Sequence, residues 1–264
     1  MRAWTRLRRL WLGLPAAALA VLALAGLTKA EVVQRGGLRV SFNGRLTPKA
    51  LPREEAAPVR VAVDAKIRST DGGAPPQLRQ IAIEINRYGH FNPRGLPICR
   101  LREIEPSTTA NALAACRRSL VGEGRFSAKI RLAQQAPFPS GGKVLAFNGT
   151  LHGRPAILAH VYGTDPIPTS FTLPFAIEPA KGTFGTVLRA SLPEVTGNAG
   201  YVTGLSLSLG RNFSFRGKRR SYLSASCPAP SGFPGAVFPF ARARFGFEKK
   251  TVTSTLTRNC KVRG

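Results

Sequence analysis

Three histidines are the side chains of this sequence best suited to acid–base or metal chemistry. They are His90, His152 and His160, and no two of them stand four residues apart, as metal ligands on one helix face do. We expect His90 to lie in an exposed loop, His152 in a turn, and His160 in a strand with its hydrogen bonds satisfied. The pattern therefore predicts no metal site, and no cofactor motif accompanies it.

Two further patterns could each suggest a hydrolase. Ser140 and Lys143 have the S-x-x-K spacing of penicillin-binding proteins, but Gly141 and Gly142 between them are typical of a turn that enters a strand. Asp64 and Glu84 fall on outward positions of neighbouring predicted strands, where a glycosidase would need two carboxylates about 5–10 Å apart. Surface ion pairs with nearby arginines explain these two acids as well. The sequence favours a protein with no catalytic residues.

Positive charge is the strongest functional signal. The 264 residues include 39 Lys and Arg against 13 Asp and Glu, for a net charge of +26. Five of the cations and none of the acids lie in the first thirty residues, which leaves +21 for the rest. This excess indicates an anionic partner such as cell-wall polymer or lipid headgroups, or else reflects an arginine-rich composition alone.

The cations that could bind an anion fall into three groups. One group lies in the turn RGKRR and another on the outward face of the last hairpin; these candidate anion-binding residues are Arg216, Lys218, Arg219, Arg220, Arg242 and Arg244. The third group lies on outward strand positions and comprises Arg39, Arg45, Arg60, Lys66, Arg68, Lys129 and Arg131. Nucleic acid is not favoured, because Tyr222 alone stands near the basic turn as a stacking residue.

Most of the chain that carries these cations alternates apolar with polar residues, which is typical of half-buried strands. In the closing hairpin, Ala241, Ala243, Phe245 and Phe247 alternate with arginine. The two strands joined by His152-Gly153 are almost continuously apolar, so we expect them to be covered on both faces.

One segment breaks the alternation and predicts a short helix near 108–121. Thr108 or Thr109 can cap it, and Gly122 can end it. The whole pattern predicts an all-β fold, an antiparallel β-sandwich of about a dozen strands, formed by residues 31–264. The segment GTDPIPTS offers a subdivision near 163–170.

The first thirty residues have the features of a signal peptide. A cationic stretch precedes about sixteen apolar residues, and Thr28 and Ala30 supply small residues for cleavage before Glu31. An uncleaved membrane anchor is the alternative. Either way, we expect a secreted or extracytoplasmic protein.

Four cysteines follow this segment, an even number that favours disulfides in an oxidising compartment. Three connectivities are possible, and we expect Cys99–Cys116 and Cys227–Cys260 because each closes a short loop. Zinc is disfavoured, since no closely spaced cysteine pair occurs.

Two strings carry a resemblance: ALAACRRSLVGEGRFSAKI and CPAPSGFPGAVFPFARARFGFEKKTVTSTLTRNC. With the bias of arginine over lysine, they are similar to uncharacterised exported β-rich proteins of high-GC Gram-positive-type bacteria. The resemblance implies an extracytoplasmic location and paired cysteines, and no activity.

The sequence thus predicts an exported, non-catalytic envelope or extracellular protein that meets anionic polymers through its cationic surface. One alternative is a glycan-acting hydrolase with an unrecognised carboxylate pair. Another is a lipid- or small-molecule-binding sandwich, which would require an apolar cavity.

Overall fold

A computed structural model describes residues 30–131, 134–165, 168–192 and 200–263. The predicted signal peptide lies almost wholly outside the described residues. Thirteen strands form one sheet in the order β1-β2-β5-β13-β8-β9-β10-β11-β12-β6-β17-β18-β3, antiparallel except for the β18–β3 pair. The strands are β1 Glu31–Arg35, β2 Leu38–Thr47, β3 Ala50–Leu51, β4 Ala57–Pro58, β5 Arg60–Ser69, β6 Leu78–Asn86, β7 Gly89–Phe91, β8 Leu120–Ile130, β9 Phe138–Leu151, β10 Arg154–Asp165, β11 Thr169–Pro179, β12 Phe184–Ser191, β13 Gly200–Leu209, β14 Asn212–Phe215, β15 Lys218–Ser221, β16 Leu223–Ala225, β17 Gly235–Phe247 and β18 Thr251–Val262.

The large sheet curls until strands near its two ends touch. Phe42 of β2 packs edge-on against Phe245 of β17, with ring centroids 6.0 Å apart. The Arg258 side chain of β18 donates from Nε to the carbonyl of Gly44 at 2.6 Å. Inward side chains from opposite parts of the sheet therefore share one core, and the predicted all-β antiparallel fold is confirmed.

Two small sheets complete the β-structure. One, which we call the cap sheet, has the order β4-β16-β7, and the other is the hairpin β14–β15. The hairpin does not continue β13, because the chain leaves β13 at Gly210, which has a φ of 149°, and enters β14 at Asn212.

The helical segment is shorter and more divided than the sequence predicts. Helix α1 covers Leu101–Ile104, helix α2 covers Thr109–Cys116, and one 3₁₀ turn covers Arg117–Ser119. Thr108 caps α2, since its hydroxyl accepts a hydrogen bond from the Asn111 amide at 3.2 Å. The helix ends before Gly122 because Val121 is already buried as part of β8.

This segment lies across the outer face of β9 and β10, and we call residues 99–119 the strap. Cys99 pairs with Gly149 of β9, and its amide donates to the Asn148 carbonyl at 2.9 Å. The small core beneath comprises Cys99, Ile104, Ala112, Cys116, Leu145, Phe147, Ala156 and Leu158. The continuous apolar runs of β9 and β10 are thus covered on both faces, as the sequence predicts.

Both disulfides have the predicted connectivity. Cys99 and Cys116 tie the strap together, with Cα atoms 5.5 Å apart. Cys227, which follows β16, joins Cys260 of β18 at a Cα separation of 5.8 Å. Two formed disulfides are consistent with an extracytoplasmic location. Among the described residues, no helix has the length and apolar character needed to cross a membrane.

Candidate functional site

A depression on the outer face of the curled sheet gathers cations from two strands. Lys66 and Arg68 of β5, together with Arg125 and Lys129 of β8, line a space of about 610 Å³. Strand β13 lies between these two strands and contributes small residues, of which Gly204 faces Lys66 on one side and Ser127 on the other. We call this site the outer groove.

Residues with little or no side chain lower part of the floor of the outer groove. Gly204, Ser127 and Gly141 stand opposite one another on β13, β8 and β9. A β-bulge between Val202 and Gly204 adds local twist to β13 at this point. The groove continues toward β10 as a second depression, which shares Arg125 and Ser127 with the first.

Its length follows from the sheet geometry. From β5 through β13, β8 and β9 to β10 there are four strand spacings of about 4.8 Å, so the groove spans about 19 Å across the strands. At the β10 end lie Asp165 and Tyr162. A ligand that uses the whole groove would be extended and would run across the strands.

The register brings like charges directly opposite one another at both sides of the groove. Arg39 faces Arg68 across the β2–β5 pair, and Arg125 faces Lys143 across the β8–β9 pair. Like charges in such positions destabilise a sheet. Lys143 is partly compensated by an ion pair with Glu123 at 3.1 Å. Within the described part of the chain, no ion pair compensates Lys66, Arg68, Arg125 or Lys129.

One rim of the groove is a turn held by two hydrogen bonds to one carboxylate. The Asp71 carboxylate accepts hydrogen bonds from the Ser69 hydroxyl at 2.6 Å and from the Gly73 amide at 2.9 Å. These bonds hold the pKa of the Asp71 carboxyl below its usual value, the Ser69 bond contributing most. The Asp71 carboxylate therefore accepts hydrogen bonds from residues of its own turn, which lies beside the cations of β5.

The basic turn predicted from sequence forms the tip of the hairpin β14–β15. Arg216 and Gly217 have φ values of 52° and 72°, which fit a two-residue hairpin turn. Arg216, Lys218, Arg219 and Arg220 are all exposed. The structure therefore places this second cationic group on a projecting tip, whereas the outer groove is concave.

The aromatic rings near that tip pack against other groups of the protein. Phe215 packs against Gly95, and the guanidinium groups of Arg216 and Arg220 lie 5.4 and 5.7 Å from its ring centroid. The expectation that Tyr222 offers a stacking surface is wrong, because Tyr222 is fully buried and packs edge-on against Phe91. Burial also raises the pKa of the Tyr222 phenol. The hairpin thus offers charge without a free stacking face.

The remaining two predicted cations are held by an acid. Arg242 and Arg244 of β17 both donate hydrogen bonds to the buried carboxylate of Glu84 on β6. Arg242 also lies over the ring of Phe184, 4.7 Å from its centroid. Half of the positive charge of this pair is compensated within the protein.

The carboxylate pair considered from sequence does not form. Strand β5 lies between β2 and β13, whereas β6 lies between β12 and β17. Asp64 and Glu84 are therefore not on neighbouring strands, which overturns that expectation. Alternation identified both as outward residues but could not show which strands pair. The hydrogen bonds from Arg242 hold the pKa of the Glu84 carboxyl below its usual value despite desolvation.

The histidines lie far apart in the fold. His90 is exposed on β7, His152 occupies the β9–β10 turn with a φ of 50°, and His160 is fully buried on β10. No described residue meets strict hydrogen-bond geometry with either ring nitrogen of His160, although the Ile104 backbone lies close enough to interact with the ring. Burial lowers the pKa of His160, while the Ile104 backbone opposes that shift.

The serine and lysine with S-x-x-K spacing do not open a helix. Ser140 and Lys143 both lie within strand β9, and the Ser140 hydroxyl donates to the Asp165 carbonyl at 2.7 Å. Among the described residues, the one cluster with metal-ligand spacing is Cys99, Glu103 and Cys116. Its two sulfurs are joined in a disulfide and are not thiolates, so the cluster is not a metal site.

Sequence reasoning found three of the four groove cations and missed Arg125. The alternation of β8 could have identified it, since Arg125, Ser127 and Lys129 share the exposed face. What no local pattern could supply was the insertion of β13 between β5 and β8.

Comparison with known proteins gives no relative: no family model, no curated protein and no solved structure matches this chain.

Proposed function

We propose that this protein acts outside the cytoplasm without catalysing a reaction, and that it binds a linear anionic polymer in the outer groove. The observation that supports this most is a set of four cations around Gly204 and Ser127 that make no ion pair among the described residues, with Asp64 as the acid that lines the same space. Arginine suits such a site because its planar fork donates two hydrogen bonds to one phosphate or carboxylate.

The shape of the groove favours a chain-like ligand over a small anion. The four cations lie on β5 and β8, two strand spacings or about 10 Å apart, which would accommodate neighbouring charges of a repeating chain. Lys66 and Arg68 contact one part of such a chain, and Arg125 and Lys129 contact the next. The envelope polymer is therefore one with phosphate or carboxylate groups along an extended backbone.

Binding of polyphosphate to the purified protein across a salt series tests this proposal, with dextran as the neutral control. Single-stranded polyanions lose affinity with a log–log slope of about −0.7 per charge contact, so four cations predict a slope of about −3. Changing Lys66, Arg68, Arg125 and Lys129 to glutamine should remove most of the affinity and flatten the slope.

The hairpin tip supplies a matched control. In this control, four positive charges are again removed from the protein, but the groove is not altered. The changes to glutamine are at Arg216, Lys218, Arg219 and Arg220. If both quadruple variants lose affinity equally, binding follows net charge and the groove is not the site. If the hairpin variant alone loses affinity, the tip binds the polymer instead.

A further inference from the structure

The inner face of the curled sheet surrounds an apolar cavity of about 80 Å³. Its side walls include Val63 of β5, Ile85 of β6 and Leu207 of β13, all pointing inward yet only half-buried. The opposite wall includes Phe175 of β11 and Phe238 of β17. Because the inward side chains do not fill the space between them, the core leaves room for an apolar group.

Polar residues border the cavity at one end, under the cap sheet. They include Asn86, His90, Ser224 and Ser226. His90 is exposed, whereas Ser226 and Asn86 are buried, so the lining runs from solvent at the cap sheet to apolar residues inside. The surface that these residues present to the cavity is almost entirely apolar, and His90 is the exposed residue at its solvent side.

The polar groups at this end are held in place by the protein. The Asn86 amide donates to the Pro239 carbonyl at 2.7 Å, and the Ser224 hydroxyl accepts from the Asn92 amide at 2.9 Å. The Ser226 amide donates to the Tyr88 carbonyl at 3.1 Å. These contacts fix the cap sheet over the cavity and leave His90 at its solvent side.

The volume limits what can enter. Pockets for drug-sized ligands measure about 300–1,000 Å³, and a cavity that accepts benzene measures about 150 Å³. A space of about 80 Å³ is smaller than both, so it accepts the end of an alkyl chain and not a whole lipid. Such a space with apolar walls is dry, and burying methylene groups in it is favourable.

We infer that this cavity binds the terminal alkyl segment of a straight-chain amphiphile, with the polar head at the cap sheet beside His90. The positive charge of the chain favours a carboxylate head over an ammonium head. The site is independent of the outer groove, since Val63 points into the cavity while its neighbour Asp64 lines the groove on the opposite face.

Titration with butanoate, hexanoate and octanoate tests the inference, observed through ¹³C-labelled Leu, Val and Ile methyl groups by NMR. Octanoate should give saturable shifts at Val63, Ile85 and Leu207. Affinity should rise about fourfold for each methylene that enters the cavity and level off once the cavity is full. The unaltered protein is used for this titration. Shifts confined to methyl groups outside the cavity, or no saturable shift with octanoate, would overturn the inference.

A filled cavity provides the second measurement. Val63→Phe adds a ring to the cavity wall and should weaken octanoate binding at least tenfold. Ala62→Phe adds the same ring to the next position of β5, where the side chain points outward, and should leave binding unchanged. Equal binding by Val63→Phe and the unaltered protein would contradict the inference. The quadruple glutamine variant of the outer groove should bind octanoate normally, which separates this result from the polymer experiment.

Discussion

The carboxylate of Glu84 accepts hydrogen bonds from Arg242 and Arg244 at the same time. Its Oε1 atom lies 3.0 Å from an Nη2 atom of each arginine, and Arg242 also donates from Nε to Oε2. The acid is buried, while both arginine side chains are about 40% exposed. One carboxylate thus holds two cations in place across the β6–β17 pair.

Glu84→Gln should lower the free energy of unfolding by about 1–2 kcal/mol at pH 7, between the effects of exposed and fully buried ion pairs. The pKa of Glu84 is lowered in the fold, so its contribution is present above the unfolded value of 4.5 and is lost as pH falls through the folded value. Urea unfolding at pH 7 and pH 3 measures both effects.

Glu178→Gln is the matched control for this substitution. Glu178 also pairs with an arginine of the neighbouring strand, Arg189 at 3.0 Å, but both side chains are exposed. Its removal should cost at most about 0.5 kcal/mol. A similar cost for the two variants would mean that the burial of Glu84 contributes nothing.

Arg68→Gln should make the free protein slightly more stable and its polymer binding weaker. Arg68 faces Arg39 across β2 and β5, and removing one of two opposed like charges relieves repulsion of about 0.2–0.5 kcal/mol. Unfolding in urea at low salt measures the gain, and polyphosphate binding measures the loss. A loss of stability together with unchanged binding would contradict a role for Arg68 in the groove.

His160 should make the protein less stable in mildly acidic solution. Burial lowers its pKa from 6.5, so below pH 6.5 the unfolded chain takes up a proton that the folded chain does not. Stability is complete above pH 6.5 and falls as pH decreases toward the folded pKa, by at most about 1.4 kcal/mol per pH unit.

Comparison of variants isolates this effect. His160→Gln should remove the dependence between pH 6.5 and 5, because glutamine does not titrate. His152→Asn should retain it, because His152 lies in an exposed turn and asparagine tolerates its positive φ. The same slope in both variants would assign the dependence to other groups.

Removal of the two disulfides should differ in its cost in stability and in the segment that gains freedom to exchange. In the chain-entropy model, losing Cys227–Cys260, with 33 residues of separation, costs about 4 kcal/mol, and losing Cys99–Cys116, with 17, costs about 3 kcal/mol. Replacement of Cys99 and Cys116 by serine should raise amide hydrogen exchange chiefly in the strap. Exchange that increased equally in β17 and β18 would show that the strap is not an independent unit.

The sequence predicted best those features that depend on neighbours in the chain. Period-two alternation identified the inward residues Ala241, Ala243, Phe245 and Phe247, all of which are buried. His152-Gly153 identified the β9–β10 hairpin, because positive φ at both positions suits the pair. Short loops identified both disulfides.

Features that depend on distant pairing were missed. Asp64 and Glu84 were assigned to neighbouring strands because β5 precedes β6 in the chain, whereas the sheet separates these strands widely. Tyr222 was expected at the surface because it follows a basic turn, but the cap sheet and Phe91 bury it. The outer groove likewise exists only because β13 pairs with both β5 and β8.

The strand order also determines when the chain can fold. Strand β6 needs β17 as a partner, and β5 and β8 need β13, so each pairing spans a long stretch of sequence. Contacts between residues so far apart in sequence form slowly, because the loop entropy is lost before the contacts compensate for it. Until β17 and β18 have emerged from the ribosome, β6 lacks one of its two neighbours and the core cannot close. The consecutive pairs from β8 to β12 can form during synthesis, whereas the closed sheet requires the last two long strands of the chain.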